Sequence, residues 1–256
     1  MKKRVLFLID SLDFGGIEVA LINIVNNMDR NRFDITVCTI YNEGALLNRL
    51  APHIRHTSFF EKPGIWKKRI FYRCAKYLPA WMLYRCFVRE SYDVEIGFRE
   101  GQPGKIISGS GNRRSKKLVW IHVDLAVATS GREFFYSHWG QKKSYERFNK
   151  IVCVSKNGAD SFTRFTGVEK GVTYRYSPMD TEAIRRQSEL QARPMAGDGL
   201  FRIVCVGRLT REKGFDRMLR VHRRLLREGL RHRVLLVGDG VERAALEQFI
   251  KENALE

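Results

Sequence analysis

No apolar run in the 256-residue chain approaches the ~18 to 20 residues that a membrane-crossing helix needs, so no spanning segment is expected. No two cysteines stand at metal-type spacing. The five present, Cys38, Cys74, Cys86, Cys153 and Cys205, are odd in number, and Cys38, Cys153 and Cys205 lie inside apolar runs where a thiol behaves as a small hydrophobe. This pattern predicts a reducing, cytoplasmic setting and no metal site. A Lys/Arg-rich tail, a heptad repeat, zinc-finger spacing and an RNP-type aromatic motif are also missing, which removes the specific signatures of nucleic-acid binding. Acidic residues are scarce: 28 Asp and Glu stand against 46 Lys and Arg, for a net charge of +18. Such an excess says little about fold and points to an anionic partner: nucleic acid, an acidic membrane face or a small phosphorylated ligand. The cations are dispersed, with local excesses from Arg55 to Arg89 and from Arg220 to Arg233.

What is present is a regular alternation. With 44% hydrophobic residues the chain has enough apolar surface for a core. Residues 5 to 21 read VLFLIDSLDFGGIEVAL. Lys2, Lys3 and Arg4 imitate the start of a secretory signal, but Val5 to Ile9 is too short for the ~7 to 15 apolar residues such a signal carries. A strand buried on both faces fits instead. Ile17, Ala20, Leu21, Ile24, Val25 and Met28 then recur at helical spacing, so the chain opens as strand, loop and helix with Gly15 and Gly16 at the helix start.

Further short strands are predicted at DITVCTI (34–40), DVEIGF (93–98), KLVWI (117–121), KIVCV (150–154) and VTYRY (172–176), separated by helical or polar stretches. Alternation of this kind predicts an α/β protein with a parallel, helix-covered sheet. Ser188 to Gly199, with a proline and glycines, reads as a linker. The alternation restarts after it: strand 202–206, helix 212–228, strand 233–237, helix 239–251. The expected domains are 1–190 and 199–256, and the latter is expected to be incomplete because it offers only two strands. From Ile65 to Val88 aromatics interleave with cations, and Trp66, Ile70, Cys74, Tyr77, Trp81, Tyr84 and Val88 share a helical stripe with Pro79 as its bend. A stripe like this faces a core more often than a membrane.

Sites in such sheets lie outside the carboxyl ends of the strands, which selects a few residues. Gly15 and Gly16 either make a tight turn or bring backbone amides close to a phosphate or hydroxyl. Glu18, in the first helical turn, suits the positive helix end. His122 and Asp124 follow the strand LVWI, either as ordinary loop residues or as an imidazole and a carboxylate at a site. Arg208 and Lys213 follow the strand RIVCV and are either solvated cations or a pair able to neutralise a leaving diphosphate without a metal. Val237-Gly238-Asp239-Gly240 is a glycine turn of low specificity, expected to shape backbone only.

Several pieces taken in order resemble a known family: Gly15-Gly16-Ile17-Glu18 after the first strand; DVEIGF followed by Arg99-Glu100-Gly101; Trp120-Ile121-His122-Val123-Asp124; KIVCVS (150–155); Ser177-Pro178-Met179-Asp180; and Val206-Gly207-Arg208-Leu209 with Lys213-Gly214. The chain resembles the retaining GT-B glycosyltransferases of the family-four, or group 1, branch. The resemblance implies two Rossmann-like domains facing a cleft, a nucleotide-diphosphate sugar as donor substrate with no other cofactor, and an acceptor held mainly by the N-terminal domain. It implies that the glycine loop approaches the donor, that His122 faces the transferring sugar, that Asp124 is a weaker candidate to act on the acceptor hydroxyl, and that Arg208 and Lys213 bind the diphosphate. The family's two glutamates separated by seven residues lie further along than this chain extends, so an incomplete donor domain is expected. The reading is a sugar transferase working on a glycan or lipid-linked acceptor in surface polysaccharide biosynthesis, cytoplasmic and peripheral on the inner membrane face. Its rivals are an inactive fragment of such an enzyme and a basic nucleic-acid-binding module.

Overall fold

The computed structural model describes residues 1–13, 15–61, 64–127, 134–190 and 199–255. Most of the linker expected at 188–199 lies outside the described residues. The chain forms two compact units, Met1–Arg185 and Arg186–Glu256.

In the first unit the strands are β1 (Lys3–Ile9), β2 (Phe33–Asn42), β3 (Arg55–Glu61), β4 (Val94–Gly97), β5 (Lys116–Ile121), β6 (Lys150–Cys153) and β7 (Val172–Tyr174). They form one seven-stranded sheet in the order β3-β2-β1-β4-β5-β6-β7, all pairs parallel. The chain runs outward from β1 to β3, then returns to place β4 on the other side of β1. The order therefore reverses between β1 and β4, the position at whose carboxyl ends sheets of this kind bind ligands.

The pleat sends alternate residues of β1 to opposite faces. Val5, Phe7 and Ile9 join Ile35, Val37, Phe98 and the apolar side of α1 (Gly16–Asn27), where Leu21 and Val25 are fully buried. Leu6 and Leu8 join a larger cluster with Cys38, Ile40, Leu83, Ile106, Tyr145 and Phe162. That second face is covered by α2 (Ile65–Tyr77), α3 (Ala80–Phe87), α4 (Gln102–Ser108), α5 (His138–Tyr145) and α6 (Lys156–Thr166). At the β4–α4 crossing a Cβ on Gly97 would lie 2.9 Å from the Cα of Gly104, so two glycines let this helix settle directly on the sheet.

The stripe expected to face a core turns outward along α2. Trp66 is 75% exposed, Ile70 61%, Tyr77 69% and Trp81 55%, while the helices bury Ala75, Leu83 and Phe87. The reason lies at Leu78-Pro79. Leu78, preceding proline, is held in extended backbone, as expected where a following proline disfavours the helical region. The single helix becomes two, and the shared stripe is broken in phase. Strand β3 has no counterpart in the predicted elements. Its residues RHTSFFE alternate between exposed and half-buried, as an edge strand does, and carry too little apolar signal to stand out.

The helix α7 (Thr181–Leu190) spans the division between the units. In the second unit β8 (Phe201–Val206) pairs in parallel with β9 (His232–Val237). Two helices, α8 (Phe215–Arg227) and α9 (Arg243–Glu252), pack on this pair through Leu209, Phe215, Leu219 and Leu246. The helix expected from residue 212 begins later, because a short 3-10 turn at Arg211–Lys213 ends in Gly214 at φ +70, a left-handed conformation that interrupts the run.

Candidate functional site

Three strand ends build one site in the first unit. At the end of β1 the apolar run stops at Asp10 and the chain turns to Gly15, the extended N-cap of α1, at φ −166. No side chain caps this helix, leaving its first amides to other partners. A Cβ on Gly15 would fall 2.2 Å from Oε2 of Glu18, whereas one on Gly16 would meet nothing within 4 Å. The buried Glu18 carboxylate thus folds back over the glycine turn and occupies the positive helix end. Gly16 lies open beside it.

From the end of β4 comes Arg99, whose Nη1 lies 3.4 Å from Oδ2 of Asp10 and whose Nε lies 3.9 Å from Oε1 of Glu100. The Glu100 side chain is 1% exposed. Its Oε2 accepts a hydrogen bond of 2.9 Å from the backbone N–H of His122, while Oε1 is buried without a hydrogen-bond partner. From the end of β5 comes His122, with its ring 5.0 Å from Phe98 and its Nε2 likewise buried and unpartnered. Two unsatisfied polar atoms in one place are unusual in a folded chain.

The charges follow from this packing. Burial pushes the Asp10 carboxyl up to about 6; Arg99 opposes the rise, and Glu100 and Glu18 add to it. Burial likewise raises Glu100, against the pull of the His122 N–H and Arg99. Burial, then Arg99, lowers His122 to about 4, opposed by its hydrogen bond to the Phe98 backbone. At neutral pH the imidazole is uncharged, so it acts as a neutral hydrogen-bonding group.

Asp124 is placed differently. Its Oδ1 accepts from the Ser161 hydroxyl at 2.5 Å and from the Ala126 N–H at 2.9 Å. These bonds, Ser161 first, hold its carboxyl below the usual range and tie the loop after β5 to α6. Arg208 and Lys213 belong to the second unit, on the segment between β8 and α8. Arg208 lies 3.8 Å from Glu212 with its side chain 72% exposed, and Lys213 is exposed on the 3-10 turn. The glycine turn after β9 packs on that segment: a Cβ on Gly238 would come within 1.9 Å of the Gly207 carbonyl oxygen, and the Leu209 N–H bonds the Asp239 carbonyl at 2.9 Å.

Gly15, Gly16 and His122 therefore share the carboxyl edge of one sheet. Asp10, Arg99 and Glu100 complete that edge and carried no predicted role. Their signal is positional: a charged residue stands directly after the apolar strands ending at Ile9 and Phe98.

No family model matches the chain, and no curated protein matches it in sequence. Solved structures do match. Anabaena Alr3699/HepE in complex with UDP and glucose is similar with a TM-score of 0.65 and 19% identity, over 99% of this chain and 67% of that one. S. aureus TarM, in complex with fondaparinux, alpha-GlcNAc-glycerol and UDP, has a TM-score of 0.67 and 8% identity, over 99% and 76%. The lipopolysaccharide outer core galactosyltransferase WaaB has a TM-score of 0.56 and 15% identity, over 99% and 66%. The chain thus spans about two thirds to three quarters of the length of these structures. Its fold is the α/β, Rossmann-like GT-B type of the glycosyltransferases.

Proposed function

We propose that the protein transfers a sugar from a nucleotide-diphosphate donor to a hydroxyl of a glycan or lipid-linked acceptor in surface polysaccharide biosynthesis, with retention of configuration. The observation that carries this reading is the carboxyl edge where the strand order reverses, at which Arg99 lies against Asp10 and Glu100 holds the His122 N–H. In α/β sheets this is where ligands bind. Structures of the same fold solved with UDP support the donor class. Neutral His122 faces the transferring sugar as a hydrogen-bonding group, and the open amide edge at Gly16 approaches the sugar hydroxyls. Arg208 and Lys213 hold the diphosphate, where a guanidinium and an ammonium offset the charge that develops as it leaves. Asp124 holds the loop that carries His122 and is the weaker candidate to contact the acceptor.

Incubation with UDP-, GDP- and ADP-sugars, reading nucleoside diphosphate release with and without glycan acceptors, tests the assignment. Acceptor-dependent release from one donor is expected, lost in R208A/K213A. No release from any donor would refute it.

The acceptor's membrane setting rests on α2 and α3. Trp66, Ile70, Tyr77 and Trp81 are exposed beside the exposed cations Lys67, Arg69, Arg73 and Arg85, and Arg69 lies 5.9 Å from the Trp66 ring. Aromatic and cationic side chains together suit an anionic lipid surface. Flotation with vesicles rich in anionic phospholipid should recover the protein, and vesicles of zwitterionic lipid should not; equal failure with both would remove the membrane from this reading.

A further inference from the structure

A cavity of about 310 Å³ opens between the last turns of α2, α4 and α5 and the start of α3, near the lower end of the ~300 to 1,000 Å³ usual for ligand pockets. Helix α4 runs back from the carboxyl end of β4, and α5 leads into the amino end of β6. The cavity therefore lies toward the amino ends of the strands, away from the edge that carries Gly16 and His122. Among the described residues lining it are four cations, Lys76, Lys105, Lys143 and Arg147, and no acid. Lys105 is the unusual member. It is 7% exposed, and its Nζ donates to the carbonyls of Ala75 at 2.6 Å and Lys76 at 2.9 Å. These bonds close the end of α2 and explain why a lysine is buried there, but carbonyls are neutral and leave its charge without a counter-ion. A buried charge is costly unless paired, and the third ammonium hydrogen remains for a further acceptor. Of the four cations, Lys143 alone has an acidic partner among the described residues, Glu146 at 3.2 Å. Helix α3 begins beside them at Pro79 with no side-chain cap, which leaves its first amides, at the positive helix end, to other partners. Tyr77 and Tyr136, 69% and 82% exposed, flank the opening with ring centres 6.4 Å apart.

We propose that this cavity is an anion site, separate from the donor site, that binds a phosphate monoester through Lys105, Lys143, Arg147 and the first amides of α3. Lys105 supplies the counter-charge at the base, and Lys143 and Arg147 close on the phosphate from α5. The phenols of Tyr77 and Tyr136 donate to ester oxygens or cover the alcohol part of the ligand. A soluble ester and a lipid headgroup ending in a phosphate monoester present the same chemistry to these groups. Tyr77 also belongs to the exposed aromatic stripe of α2 and α3, so a headgroup has a path to the cavity. The proposal is independent of the transfer reading and gives part of the +18 charge a defined partner.

Calorimetric titration of the whole chain with glycerol 3-phosphate, at neutral pH and low salt, tests it. A saturable site is expected, weakened at least about tenfold in K143Q/R147Q and unchanged in R208A/K213A. The charge-matched K67Q/R69Q, at the other end of α2, should stay within about twofold of the parent, since it removes only general charge. No saturable binding, equal loss in both glutamine pairs, or loss in R208A/K213A instead overturns the site. A second readout leaves the chain unmutated. Burial lowers the Lys105 ammonium to about 8, and a bound anion favours its charged form. With ¹³C-labelled lysine, the Cε resonance titrating near 8 should move to higher pH when glycerol 3-phosphate saturates, and an unmoved midpoint overturns the part given to Lys105. Flotation with vesicles carrying phosphatidic acid separates the two sources. Recovery that falls in K143Q/R147Q assigns the phosphate to a lipid headgroup; recovery unchanged while glycerol 3-phosphate binding is lost assigns it to a soluble ester.

Discussion

At the scale of single residues, the site's chemistry is set by burial acting on a few titratable groups, and its pH dependence carries opposite signs. The folded-state carboxyl of Asp10 is raised from 3.8 to about 6, so the native state holds the proton more tightly and stability falls as pH rises from about 4 to about 6. D10N removes that cost. Denaturation at pH 7 should find it more stable than the parent by on the order of 1 to 3 kcal/mol, with the gain vanishing near pH 4. His122 works the other way. Its folded value is lowered from 6.5 to about 4, so its contribution is intact above 6.5 and lost as pH falls between those values. Proton NMR should find one ring titrating near 4, and its absence would disprove the buried neutral imidazole. Gly16 separates turn from ligand contact. A methyl there meets nothing and improves helix propensity by up to about 1 kcal/mol, so G16A should be as stable as the parent while weakening acceptor or donor KM. The place of Gly15, Gly16 and His122 just after apolar strands could be read because glycine pairs and histidines stand out there. Asp10, Arg99 and Glu100 were given no role, since in a chain so rich in charge their one local signal, a place directly after an apolar strand, does not say that they pair with one another.

At the scale of elements, hydrophobic period decided what could be read. The opening strand and α1 were plain because Leu21 and Val25 recur on one face and are fully buried. L21A should cost about 2 to 5 kcal/mol in urea denaturation, the usual penalty of an emptied core site. Strand β3 was hidden because only alternate residues are half-buried. The stripe of α2 and α3 carried the right period but only part of its expected burial, since Pro79 splits it, with Trp66, Tyr77 and Trp81 outside and Tyr84 and Val88 packed on the core. For that reason W66A/W81A should leave the unfolding free energy within about 0.5 kcal/mol of the parent and still abolish recovery with anionic vesicles.

At the scale of the whole chain, the two units differ in what they bury. The first has a seven-stranded sheet with two extensive apolar clusters. The second has two strands and four buried apolar residues in its cluster, with Val204 and Val206 exposed at 59% and 77%. Hydrogen exchange should therefore show β8, β9 and their helices opening at much lower free energy than β1, β4 and β5. The α/β alternation could be read from the sequence, whereas the reversal of strand order at β1 and β4 depends on long-range pairing that no local pattern contains. The second unit also carries Arg208 and Lys213, so the donor assignment is tested most directly there. Thermal unfolding of the chain with UDP, GDP and ADP in parallel, read on the second unit, should show one nucleotide raising the midpoint by several degrees, because at about 100 times its Kd a ligand adds about 2.7 kcal/mol. R208A/K213A should lose the shift. A midpoint unmoved by all three nucleotides at millimolar concentration would contradict the nucleotide-sugar reading.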